Sequence, residues 1–582
     1  MKRFEAYSHS LALAPGLGSN RVLRKWIDLA SSLSLESLMQ RLKFGWMLSR
    51  LGLLCLALLC LVPNLVLARQ IEDSFLHPAP ENCWSYSAWS AAKTNDPNSS
   101  NESERLLAEP EIREFIDDLI QRAGLLAPAM VADQPEEIQA LVHELGPMLA
   151  ESVFKNAGCF FIQDFKLPNG RNGDMPSLKA LLMIDAGGNA QPLVDLFTKL
   201  YSLEGEAPGK TGIEGVTFTK IELGGESGDE PGGESGLEIL LGNVDGKLMI
   251  GVGQDTIEGA LRRMAKQQIP TWVREFKSRE RINRVTNFSY FNVEEIRGVF
   301  ESMGGPEATM VIGFSGLGNV DTIETATGFS EKQSISRMLI RTDGRPEGLL
   351  DLASADGIQS SELQQFPDDA LFATGISIDP GRVFRFFQMA SIQLGGRNDD
   401  FGQFLEEFKR ETGVDLKRDL VDNVGKTWTL YNGAGDGWLS GLTLTGTLKD
   451  SQGLAEASQR LIKRIVKETA GDRYAPKFFE RTVGEHKIYT LRVPQTPFPI
   501  EPSWCVADDR IILGLYPQAV QTALKPQDGA NALITQSHFD FLSQPFSGEL
   551  QDARLIGMAY IDTATQFELS YPYVLVMANM GR

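Results

Sequence analysis

One pattern occurs twice in this chain of 582 residues and limits its possible folds more than any other feature. "DGKLMIGVGQDTIEGAL" begins at Asp245, and "DDRIILGLYPQAVQTAL" begins at Asp508, some 263 residues later. Each stretch reads as a polar turn, a short apolar strand and an amphipathic helix. The chain is too long for one hydrophobic core. Repetition over this distance indicates two domain-sized copies, because the repeats of solenoid proteins are far shorter.

The segments around the two stretches also match in order. Each half has two strands, a helix, two strands, a helix and a final strand, as judged from alternating and helical spacing of apolar residues. The other matched segments begin at Phe154 and Val421, at Leu178 and Leu439, at Gly215 and Glu485, and at Val285 and Ala553. Strand pairs and strand–strand–helix order favour antiparallel sheets. The sequence therefore predicts an α+β fold: a tandem duplication of a β-β-α-β-β-α-β unit, mostly antiparallel sheets with helices on one face, after a helical N-terminal segment.

Residues 1–68 have the layout of a signal peptide. Basic residues precede an apolar run from Leu51 to Val62, and Ala68 provides a small residue for cleavage. The segment is long for a signal, so a later start codon at Met39 or Met47 stays open.

The alternative to cleavage is an uncleaved anchor over residues 42–67. Its apolar part is short for a bilayer core of roughly 30 Å and contains Pro63. We therefore expect export to the periplasm, the cell envelope or the medium, with membrane anchoring through this segment as the alternative.

Composition and spacing predict the remaining domain plan. Residues 69–109 include a polar run rich in Asn, Ser and Glu, and are expected to form a disordered linker. Residues 110–155 form a helical segment, residues 156–345 the first α+β repeat domain and residues 346–582 the second. The run "GGESGDEPGGESG" at Gly224–Gly236 interrupts the first copy as a flexible acidic insertion.

Charge and cysteine content narrow the functional classes. The chain has 56 basic and 76 acidic side chains; without residues 1–68, 48 and 73 remain. A body this acidic repels nucleic acid and anionic lipid, so neither is expected as a partner. After cleavage only Cys83, Cys159 and Cys505 remain. Such a set is no disulfide framework, although one bridge between two of them stays open.

Three stretches resemble known catalytic or ligand-binding motifs, but each differs from its motif at a position that the chemistry requires. "GEAPGKTG" at Gly205 is one residue too short for a phosphate-binding loop. "GVGQDT" at Gly251 has Thr256 in place of the third glycine of a dinucleotide fingerprint. "GFSGLG" at Gly313 has Leu317 where a serine nucleophile elbow needs glycine.

Metal ligands and catalytic acids give no specific pattern. The histidines that follow the signal segment are isolated, and no Cys-x-x-Cys pair exists. The paired carboxylates at Asp368 and Asp508 precede strands and fit turns. The tryptophans Trp428, Trp438 and Trp504 fit core packing better than an exposed platform. No catalytic, cofactor-binding or metal-binding residue is therefore assigned, and no cofactor is expected.

The order of strands, Asp or Asn caps and helices resembles a group of exported bacterial proteins that share a domain of unknown function. "FPDDALFATGISIDPGRVFRFF" at Phe366 is similar to their strand-and-cap segment, and the resemblance covers roughly residues 150–582. It implies the fold and the export, but no activity and no site residues.

Two hypotheses of different class follow. The first is a non-enzymatic binding or scaffold protein of the periplasm or cell envelope, which uses the groove between its two lobes and has a protein or an envelope component as partner. The second is an exported hydrolase with a carboxylate site assembled by the fold. Two carboxyls of raised pKa in one pocket would favour the enzyme, and an apolar groove without ionisable groups would favour the binding protein.

Overall fold

A computed structural model describes residues 69–569 with gaps. The gaps are residues 93–95, 126–130, 132–133, 167–176, 204–206, 224–236, 281, 331–332, 354–355, 396–399, 434–439, 469–476, 493–499, 526–531, 536–538, 540–552 and 567. The signal segment, the acidic insertion at Gly224–Gly236, Gly205 and Trp438 lie outside the described residues.

Ten strands form the first sheet. They are β1 Ser85–Trp89, β2 Gly158–Lys166, β3 Ser177–Asp185, β4 Gly209–Ile213, β5 Val216–Leu223, β6 Leu237–Val244, β7 Lys247–Val252, β8 Arg284–Asn292, β9 Val320–Phe329 and β10 Ser334–Thr342. Their order across the sheet is β10-β9-β8-β1-β2-β3-β7-β6-β5-β4.

Eight strands form the second sheet. They are β11 Ala370–Ser377, β12 Val424–Gly433, β13 Thr443–Leu448, β14 Lys477–Val483, β15 His486–Arg492, β16 Ser503–Val506, β17 Arg510–Gly514 and β18 Gly557–Ile561. Their order is β14-β15-β16-β17-β13-β12-β11-β18, and each neighbouring pair is antiparallel. The α+β class with antiparallel sheets is thus confirmed.

The α-helices lie between the strands in sequence. They are α1 Asp73–Leu76, α2 Glu102–Ala108, α3 Pro110–Gly124, α4 Glu136–Lys155, α5 Ala190–Ser202, α6 Gln254–Ala265, α7 Thr271–Arg279, α8 Val293–Ser315, α9 Pro380–Gly395, α10 Asp400–Thr412, α11 Ser451–Glu468 and α12 Pro517–Ala523. A turn of π-helix, Leu416–Leu420, follows α10.

The chain divides into two compact units. The first contains Met1–Lys93, Arg113–Arg274 and Thr286–Ser289, and the second contains Thr94–Ile112, Glu275–Val285 and Tyr290–Arg582. This division differs from the expected domains 156–345 and 346–582. The reason is long-range pairing: β1 joins β2 across about 70 residues of chain, with Ala88 opposite Cys159, and such a pairing leaves no local mark in the sequence.

The expected linker over residues 69–109 was wrong for much of its length. Those residues include α1, β1 and α2. Asn101 caps α2 by accepting a hydrogen bond from Glu104 N at 3.1 Å, and Arg284 Nη2 lies 2.9 Å from the Glu104 carboxylate. Polar composition alone suggested disorder, but capping and an ion pair give these polar residues structural roles.

The first unit has its core between one sheet face and α4 and α5. Leu182 and Ile184 of β3 pack with Leu145 of α4 and Leu193 of α5. Both helices carry apolar residues at helical spacing on the side facing the sheet.

The core of the second unit lies on one face of the second sheet, the face that carries Ala373 and Tyr431. Ala373 of β11 and Tyr431 of β12 pack against Leu363, Phe366 and Leu533. A smaller cluster beneath α12 joins β15, β16 and β17.

Side-chain caps begin several helices. Asn292 accepts a hydrogen bond from Glu295 N at 3.2 Å at the start of α8, and Asp562 accepts one from Thr565 N at 3.0 Å. Pro380 begins α9, and Asp379 before it accepts from Arg382 N at 3.1 Å. The strands β9 and β10 pair as an antiparallel hairpin.

Candidate binding surface on the second sheet

The second sheet has one closed face and one open face. Along β11, residues 371, 373, 375 and 377 are buried, while the alternating residues 372, 374 and 376 are accessible. Successive side chains of a strand point to opposite faces, so the accessible residues share a face. We define the open face by the following residues: Phe372, Thr374, Ile376, Trp428, Leu430, Leu444, Ala559 and Ile561.

Strand register places these residues together across four strands. Ile376 of β11 lies opposite Trp428 of β12, and Leu430 of β12 lies opposite Leu444 of β13. On the other side, β11 pairs with β18, with Phe372 opposite Ile561. Directly opposed residues on neighbouring strands point to the same face, so the open face is continuous from β18 to β13.

The open face exposes large aliphatic side chains. Ile376 is 42% exposed, Ile561 is 58% exposed, and Leu444 is 36% exposed although β13 lies in the interior of the sheet. Single exposed aliphatics are ordinary, but a contiguous apolar patch on a sheet face is typical of a contact surface.

The topologically corresponding positions of the first sheet are buried. Trp89 of β1 pairs with a residue of β2, just as Ile376 of β11 pairs with a residue of β12. The Trp89 side chain is 2% exposed. Leu182 of β3 has β2 and β7 as neighbouring strands, and Leu444 of β13 has β12 and β17 in the same places. The Leu182 side chain is 8% exposed. In the first unit α4 and α5 cover these positions.

The helix α11 packs over outer strands of the second sheet, and α9 contacts β12. Trp504 Nε1 of β16 donates a hydrogen bond to Ser458 Oγ of α11 at 2.9 Å. The Trp504 ring stacks on Tyr489 of β15, with ring centroids 5.7 Å apart. These contacts hold α11 over β15 and β16, whereas Leu444 lies two strands further in.

The helices α9 and α10 add exposed apolar side chains. Their rings pack against each other, with the centroids of Phe384 and Phe401 5.4 Å apart. Phe387 and Phe404 remain more than half exposed. The second unit therefore also exposes aromatic side chains on these two helices.

None of the eight residues that define the open face has an ionisable side chain. At its edge, Lys426 Nζ lies 2.9 Å from the Asp356 carboxylate, and this hydrogen bond lowers the pKa of Asp356. The pair is already satisfied. The residues that define the open face therefore present mainly apolar surface.

A buried cluster of ionised groups lies elsewhere in the second unit. Arg279 Nη2 lies 2.7 Å from the Glu324 carboxylate, and both side chains are about nine-tenths buried. Arg341 and Arg337 of β10 pair with Glu324 and Glu280 at 3.4 and 3.3 Å. Because each charge has a partner of opposite sign, this cluster fastens the end of α7 to β9 and β10.

Two carboxyls of β9 have raised pKa values, which was the expected mark of a hydrolase. Burial raises the pKa of Glu324, and Glu275 and Glu280 add to the rise although Arg279 opposes it. Burial and the nearby Asp343 raise the pKa of Asp321. Residues three apart on a strand point to opposite faces, so Asp321 and Glu324 do not form a carboxylate pair.

Cys83, Cys159 and Cys505, the cysteines among the described residues, are buried free thiols. Burial raises the pKa of Cys83 to about 12 and that of Cys505 to about 11, and it raises the pKa of Cys159 as well. A thiol that keeps its proton at neutral pH is a poor nucleophile.

The residues of the near-motifs have structural surroundings. Gly253 has a φ of 83° before α6, and Thr256 is buried one turn later. Ser315 ends α8, where its Oγ donates to Ile312 O at 2.9 Å. His143 lies in the middle of α4, and His486 begins β15.

Among the described residues, no group of three or more His, Cys, Asp or Glu side chains could hold a metal ion. No helix in the described part of the chain is long and apolar enough to cross a membrane. No family model, curated protein or solved structure matches this chain.

Proposed function

We propose that this chain is an exported, non-enzymatic binding protein built from two copies of one α+β unit, and that the open face of the second copy is its contact surface. The observation that carries this proposal is the exposure of Leu444 and Ile376 at positions where the first sheet buries Leu182 and Trp89.

The strand orders support the duplication. Reading from one edge, the first sheet runs β4-β5-β6-β7-β3-β2-β1-β8 before β9 and β10, and the second runs β14-β15-β16-β17-β13-β12-β11-β18. Eight strands correspond one to one, with the same neighbours. The proposed unit is larger than the sequence pattern indicated, because it also includes β1 or β11 and the helices that follow them.

A matching steric detail supports the same proposal. A Cβ atom on Gly251 of β7 would lie 2.4 Å from Ile257 of α6, and one on Gly514 of β17 would lie 2.9 Å from Ala519 of α12. In both sheets, a glycine lets the following helix pack directly on the strand.

The difference between the copies supports a binding role. Each Å² of apolar surface that stays in water leaves the folded state about 25 cal/mol less stable than burial would make it. Burying Ile376 and Leu444 as fully as Trp89 and Leu182 are buried would gain that free energy. We interpret the exposed side chains of the open face as retained for contact with an apolar partner.

A neutral apolar fluorophore, N-phenyl-1-naphthylamine, tests the contact surface. The full chain should bind it with enhanced fluorescence, and Ile376→Thr with Leu444→Thr should weaken that binding at least threefold, because threonine is tolerated in strands but replaces apolar surface by a hydroxyl. The matched control is Met338→Thr on β10, which is 66% exposed and outside the open face. Equal loss in the control, or no loss in the double variant, would refute the assignment.

Export is tested at the N-terminus. Material recovered from the medium or the periplasm should begin at Arg69 if the signal is cleaved. Recovery only in the membrane fraction, with residues 42–67 retained, would support the anchored alternative.

A further inference from the structure

We draw no further inference here: the strongest candidate, the exposed aromatic side chains of Phe387 on α9 and Phe404 on α10 in the second unit, carries nothing, because no described part of the chain shows what would cover this apolar surface.

Discussion

At the scale of single residues, Gly251 and Gly514 lie in strands directly beneath helices, and alanine at either position should destabilise the protein. Gly251→Ala places a methyl group 2.4 Å from Ile257, so it should lower the free energy of unfolding by about 1–3 kcal/mol. Gly514→Ala should behave similarly against Ala519.

Urea unfolding measures both effects. Gly212→Ala in β4 is the control, because no atom lies within 4 Å of its added Cβ, and alanine at that position should be neutral or slightly stabilising. A Gly251→Ala protein as stable as the control would show that α6 is not packed on β7 as described.

The contributions of Glu324 and Asp415 to the free energy of unfolding should change with pH in opposite directions. Burial raises the pKa of Glu324 above its ordinary 4.5, so the native state holds this proton more tightly than the unfolded chain does. The contribution of Glu324 to stability therefore decreases as pH rises from about 4.5. A backbone hydrogen bond from Arg418 lowers the pKa of Asp415 below 3.8. Its contribution is present above that pH and is lost on acidification.

Difference profiles against Glu324→Gln and Asp415→Asn check both signs. The unfolding free energy of the unaltered protein minus that of Glu324→Gln should fall as pH rises above 4.5. The corresponding difference for Asp415→Asn should fall as pH is lowered below 3.8. A rising profile for Glu324 would mean that its pairing with Arg279 outweighs burial.

At the scale of elements, corresponding strands should tolerate the same truncation very differently. Trp89→Ala in β1 removes a 2% exposed ring that also donates to Asn156 O at 3.0 Å. It should cost about 3–5 kcal/mol of unfolding free energy. Ile376→Ala in β11 removes a side chain that is already 42% exposed, and it should cost about 1 kcal/mol or less.

Thermal and urea unfolding of the two alanine variants give this comparison. A loss at Ile376 close to the loss at Trp89 would mean that a helix covers the open face in solution, and the proposed contact surface would have to be abandoned.

At the scale of the whole molecule, charge determines which macromolecules are excluded as partners. With a net charge of −20, the protein should not bind double-stranded DNA or vesicles rich in anionic lipid at about 0.15 M salt. Gel shift and vesicle flotation check this expectation. Binding to neutral but not anionic vesicles would point to the exposed apolar side chains of the second unit.

Much of the local structure could be predicted because its causes are local. Asn292, Asp379 and Pro380 act at helix starts through neighbours three residues away or fewer. Alternating apolar residues identified most strands. The segment around β1 was mistaken for a linker, because its partner strand lies about 70 residues away and its polar residues form caps and ion pairs.

The open face could not be predicted from the sequence. The strands β11 and β12 have apolar residues on both faces, as a fully buried strand does, so nothing in "ALFATGIS" distinguishes Ile376 from a core residue. The only available signal was the excess of apolar residues in β11, β12 and β13 together with the aromatic run of α9.

By itself, the sequence determined the α+β class and many of the strands and helix starts, because periodicity and capping depend on residues close in the chain. Only the tertiary structure decided which sheet face is covered. The packing of α11 over β15 and β16 depends on contacts such as Ser458 with Trp504, 46 residues apart. A helix and a sheet can meet in several positions with the same local patterns, and long-range packing selects among them.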